Sequence, residues 1–223
     1  MSEIGSDQER DVNQQFLVAV MGCHGVGKSA IQQALLSYLH AIEPPSKRPN
    51  PFPESAILSY IHYLVERKKQ HRLLQQQKQN IVADRYGFVD TSIYVEVLHN
   101  LGHISEDELN LFARILENMD QHWIRATALV VLVCDPSEIL ERLRTRPQRV
   151  NRDFDPFNLL QIASVDNAFR KFGRTGALPP FIPGALQKQV VGVPRILVDC
   201  TNDTILEIVN HVVEQIRKIQ RTI

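Results

Sequence analysis

The chain has 223 residues, 43% hydrophobic and 22% charged, with Lys plus Arg equal to Asp plus Glu at 25 each. That length fits one domain with a sizeable core, and the neutral balance argues against a bulk nucleic-acid or membrane-surface binder. The cysteines, Cys23, Cys134 and Cys200, are odd in number and widely spaced, which disfavours a disulfide framework or a zinc site and points to a reducing, cytoplasmic compartment.

Residues 1–15 are polar and acidic with no signal-peptide core, and read as a mobile tail before a domain at 16–223. The short apolar run 16–21 ends in a glycine-rich turn and predicts a buried strand. Residues 29–39 follow with apolar Ile31, Ala34, Leu35 and Leu39 at the spacing of one helix face. The five prolines of 41–55 predict a loop, and 56–78 a second helix. A short strand at 81–83 ends in Asp84, and 89–101 is helical up to Gly102. Ser105 and Glu108 form a capping box that opens a helix to about 119. The continuous apolar run 127–134 predicts a strand covered on both faces; at 126–134 it is too short to cross a bilayer. Asp135-Pro136 with Glu138 starts a helix to about 144. No element is evident in 174–194. A last strand, 195–198, leads into a helix over 204–219. Strands separated by helices imply an α/β fold, three layers with a mostly parallel sheet.

The strongest motif is Gly22-Cys23-His24-Gly25-Val26-Gly27-Lys28-Ser29, a full match to G-x-x-x-x-G-K-[ST] between a predicted strand and a predicted helix. Glycines let the backbone amides converge on phosphate oxygens, and the helix N-terminus adds partial positive charge. Lys28 then reaches the β- and γ-phosphates, and the Ser29 hydroxyl ligates magnesium. Asp84 ends a strand, so it faces the same edge of the sheet. It is a candidate magnesium ligand, and Arg85 beside it can grip an acceptor phosphate. Asp135 is a rival acid, but its Asp-Pro context favours helix capping. Arg142, Arg144, Arg146, Arg149 and Arg152 crowd one short stretch broken by Pro147, which suits a basic lid over a triphosphate.

The order of these features resembles the thymidylate kinase and deoxynucleoside kinase superfamily of P-loop kinases. The likeness rests on the phosphate loop, on the stretch 82–88 with its Asp84-Arg85-Tyr86, and on the strand, helix and lid entry at 131–146. It implies ATP and Mg2+ as cofactors. It also implies Lys28, Asp84, Arg85, Arg146 and Arg149 as catalytic residues, with Arg142 on the donor. Arg85 and Tyr86 would hold the acceptor, and Tyr63 and Arg67 match the aromatic and arginine that flank its base. Bacterial thymidylate kinases have an acid where this chain has His24, and Arg-Glu-Pro where it has Ile42-Glu43-Pro44. The stretch from Lys28 to Glu43 is also too short for a full helix and a full second strand.

Asp84-Arg85-Tyr86 favours a nucleoside monophosphate acceptor, dTMP first, whose phosphate oxygen is already anionic. Glu43-Pro44 keeps a deoxynucleoside open, with Glu43 as the base that its 5′-hydroxyl would need. A GTPase-like switch is the rival class; Asp84 to Gly87 fits D-x-x-G, but no Asn-Lys-x-Asp motif is present. The expected partner is a small-molecule nucleoside or nucleotide, with no nucleic acid and no membrane, and a homodimer left open.

Overall fold

The computed structural model describes residues 16–44, 55–76, 79–119, 122–145 and 158–222. The proposed tail therefore lies outside the described residues, as does the lid stretch with Arg146, Arg149 and Arg152. Four parallel strands form one sheet in the order β2-β1-β3-β4, with β1 Leu17–Gly22, β2 Ile81–Asp84, β3 Ala128–Val133 and β4 Arg195–Asp199. Every residue of β1 and β3 is buried, as their unbroken apolar runs require of strands covered on both faces. Helices α1 (Lys28–Tyr38) and α8 (Ile205–Gln220) pack together, α1 against β1 and β2. Helix α6 (Leu159–Thr175) packs against β1, β3 and β4 and also against α3 (Gly87–Asn100) and α5 (Pro136–Arg144). Helices α2 (Ala56–Gln75) and α4 (Glu106–Asn118) pack on α3.

The local signals act as written. Ser105 and Glu108 form both halves of the capping box on α4, and Asp135 caps α5 by accepting from the amides of Ser137 and Glu138. The second strand survives as one residue: Ile42 bridges Ile81, its amide donating to Asn80 O at 2.9 Å and its carbonyl accepting from Val82 N at 3.1 Å. Eleven residues of α1 leave too little chain before Glu43 for more.

Two helices escape the sequence pattern. Residues 174–194 are expected to be loop but contain α7, Gly184–Val190, two turns after Pro183 that bury only Leu186 and Val190; glycine and flanking prolines hide so short a helix. Helix α6 carries Ile162, Val165, Phe169 and Phe172 at helical spacing. That signal is legible, but the sequence reading assigns no element between the arginine stretch and residue 174. Once folded, α6 ties the strand ends together. Asp166 accepts from Cys134 N at 3.0 Å, and Arg170 joins Asp166 (2.6 Å) to Asp199 (2.9 Å).

Parallel strands bring their carboxyl ends to one edge. Val20 pairs with Asp84, Gly22 with Leu132 and Val133 with Asp199, so the glycine loop after β1 opens beside the end of β2.

Candidate active site

The loop is shaped by positions where no other residue fits. Gly22 has φ of 138°, and a Cβ there would lie 2.3 Å from Leu132 O. Gly27 is left-handed at φ 106° and forms the N-cap of α1. Side chains of Ser55, Ser105, Asp135, Asn158 and Thr204 cap α2, α4, α5, α6 and α8, whereas α1, like α3 and α7, has no side-chain cap. Its first amides are left for an anion, which the helix dipole also favours.

Lys28 bends back over this hollow, its Nζ donating to Gly22 O at 3.0 Å and Cys23 O at 2.6 Å. Burial and the nearby Arg85 push its pKa down to about 8, against the pull of Asp84 and Asp90. A phosphate would raise that pKa again, so binding takes up a proton above about pH 8. ADP affinity is therefore expected to be level below pH 8 and to fall as pH rises past it, by up to about tenfold per unit. Titration calorimetry at pH 7 and 9 checks this, and equal affinities would contradict it.

A second charged cluster begins where β2 ends. Arg85 N donates to Val20 O at 2.9 Å, locking the residue after Asp84 to β1. Arg85 itself has φ of 82°, a strained conformation for a side-chain-bearing residue. Its guanidinium donates to Asp90 and lies over the Tyr94 ring, 5.2 Å from the centroid. Burial opposes its charge, but Asp90, Tyr94 and Asp84 outweigh this and hold its pKa well above the usual arginine value. Arg67 of α2 is buried in the same field of Asp84 and Asp90, and burial lowers its pKa to about 10. The Tyr60 ring stacks on Tyr94 at 5.9 Å, and the half-buried Tyr63 meets Tyr60 edge-on at 6.3 Å. Within this group Asp90 Oδ1 and Arg67 Nη2 are buried without a hydrogen-bond partner. Buried polar atoms are normally paired, so these mark a place for a polar ligand.

The structure thus joins Lys28, Asp84, Arg85, Arg67 and, at the rim, Tyr63. Asp90, Tyr94 and Tyr60 were missed in sequence. Asp90 carries a usable signal, an acid in the first turn of the largely apolar helical stretch 87–98. Tyr86 is not brought into the group. It is fully buried, its hydroxyl donates to Ile124 O at 2.9 Å, and its ring packs on Phe88 and His71. Glu43 is exposed and accepts from Gln32 at 3.4 Å and Gln33 at 3.3 Å. Arg142 donates to Glu138 at 3.1 Å and to Cys200 O at 3.0 Å, which places it beside the loop after β4.

Ser29 is exposed in the first turn of α1, and Asp84 stands on the adjoining strand. One hydroxyl and one carboxylate next to a phosphate cradle suit magnesium, which keeps waters and takes few protein ligands. No described helix is long and apolar enough to cross a membrane.

A parallel sheet with a glycine-rich loop between β1 and α1 and helices on both faces is the fold of a P-loop kinase. In sequence and fold the chain resembles the thymidylate and deoxynucleoside kinase superfamily. The deoxynucleoside kinase family model matches residues 55–161, just under half of the chain. Among solved structures, deoxyadenosine kinase from M. mycoides with bound dATP aligns at a TM-score of 0.71 and 15% identity, covering 91% of this chain and 100% of that one. The same enzyme with dCMP and dCDP gives 0.72, 16%, 91% and 100%, and with dCTP 0.66, 17%, 90% and 100%. No curated protein sequence matches the chain.

Proposed function

We propose that the protein is an ATP- and magnesium-dependent kinase whose acceptor is a deoxynucleoside, with deoxyadenosine the first to try. The observation that carries this is the closed Arg85–Asp90 pair with the unpaired Asp90 Oδ1 and Arg67 Nη2 beside it. An arginine meant for an acceptor phosphate would be open to an anion. Here it is closed by a carboxylate, while the spare acceptor and donor suit the hydrogen-bonding edge of a base. The dTMP reading rested on Asp84-Arg85-Tyr86; with Arg85 closed by Asp90 and Tyr86 in the core, it yields to the deoxynucleoside reading. The family match over 55–161 and the fold shared with deoxyadenosine kinases support the same choice.

In this reading the backbone amides of 22–28 and Lys28 hold the triphosphate, and Ser29 and Asp84 hold magnesium, which neutralises charge on the phosphates. Arg142, Arg146 and Arg149 add positive charge from the donor side. The acceptor 5′-oxygen bonds to the γ-phosphorus, the bond to the β–γ bridging oxygen breaks, and ADP leaves. The hydroxyl proton passes to Glu43, which Gln32 and Gln33 hold on the stub of the second strand. Tyr63 and Arg67 flank the base.

An acceptor panel tests the proposal. Deoxynucleosides should drive ADP formation, and Glu43→Gln should slow it about 100-fold or more. Turnover with dTMP alone, indifferent to Glu43→Gln, would restore the monophosphate reading. Slow GTP hydrolysis without any acceptor would support the switch.

A further inference from the structure

The side chains of the phosphate loop leave it in different directions. Cys23 turns to α6, its Sγ 3.9 Å from Ile162 O. Gly25 is pressed against Leu143 and Ile139 of α5. Val26 folds back toward Gly22. His24 alone in the loop is seen to face α3, its ring 5.3 Å from that of Tyr94 and tilted by 57°. Tyr94 in turn carries the Arg85 guanidinium. The half-buried imidazole therefore stands between the cradle and the acceptor group, next in sequence to Cys23, whose carbonyl takes Lys28 Nζ. Arg85, the cation beyond Tyr94, is closed by Asp90. Within the phosphate loop, His24 is the side chain placed to offer a donor on that side.

We propose that His24 is a catalytic residue. Its ring N–H donates a hydrogen bond to the terminal phosphoryl group of the bound nucleoside triphosphate, on the side that faces the acceptor. Tyr94 fixes the ring plane, and the bond follows the phosphoryl group as charge builds on its outer oxygens. No proton is transferred; the imidazole is a donor only. The inference rests on the triphosphate half of the proposed function and is independent of which acceptor is used.

The test is binding of magnesium-ADP and of the magnesium complex of the imido analogue of ATP to the full chain, by calorimetry. In His24→Ala the preference for the analogue over ADP should fall about tenfold, with ADP affinity within about twofold of the parent. His24→Phe keeps a ring against Tyr94 without a donor and should behave as His24→Ala does. His24→Gln, which restores an N–H, should recover most of the preference. If His24→Phe keeps the full preference, or if ADP and the analogue weaken together, the histidine merely packs and the proposal is overturned. A protein that phosphorylates no deoxynucleoside yet shows the His24-dependent preference loses the proposed function and keeps this inference.

Discussion

Lys28→Ala is expected to reduce phosphoryl transfer at least about 1,000-fold while leaving the fold intact. The ammonium is the one loop cation aimed into the cradle, and its two hydrogen bonds are to the loop carbonyls that precede it. Phosphate oxygens would replace those carbonyls and gain a charge-assisted bond that strengthens as the γ-phosphoryl group departs. Stability should hold or rise. A cation whose pKa is pushed down to about 8 by burial costs folding free energy when charged. Its unfolded value is higher, so the unfolded chain binds more protons between those two values. The parent should gain stability from this group as pH rises from about 8 toward 10, and the variant should lack that gain. Acceptor-dependent ADP formation and a thermal melt check both halves, and retained turnover would remove the loop from the chemistry.

Asp90→Ala is expected to cost about 3–5 kcal/mol of stability and to abolish use of the acceptor. Asp90 is 1% exposed, and Arg85 is its partner. Removing the carboxylate leaves a guanidinium largely buried, in a strained backbone conformation, without the charge that holds it. For a chain of this size the midpoint of melting should drop by about 10 °C. Removing both charges with Asp90→Ala and Arg85→Met should recover much of the loss, because no unpaired charge remains, yet activity should stay absent. If the single variant melts like the parent, the pair does not anchor this part of the site.

Much of the fold was legible because strong local signals agreed. The buried runs of β1 and β3, the capping boxes and the glycine loop each specify their own conformation. The donor half of the site was legible for the same reason, since one contiguous segment builds it. The acceptor half was legible only in part. Asp84 and Arg85 are neighbours in sequence, but the role of Arg85 depends on Asp90, five residues later, and on Arg67 and Tyr60 from α2. Whether an arginine is open to a phosphate or closed by a carboxylate is a property of packing, and sequence order does not encode it. Tyr86 shows the converse. Adjacency to Asp84 and Arg85 made it a candidate, but a side chain that follows a strand end can turn into the core, and this one does.

One edge of the sheet is proposed to hold donor phosphates at 22–29 and a deoxynucleoside against Asp90 and Arg67. A crystal structure of the full chain soaked with magnesium-ADP and deoxyadenosine addresses this most directly. The expected result is the β-phosphate on the loop amides with Lys28 Nζ turned onto it, and the base edge on Asp90 Oδ1 and Arg67 Nη2. ADP phosphates lodged away from the loop, or a base bound elsewhere with the Asp90–Arg67 side empty, would rule out this arrangement.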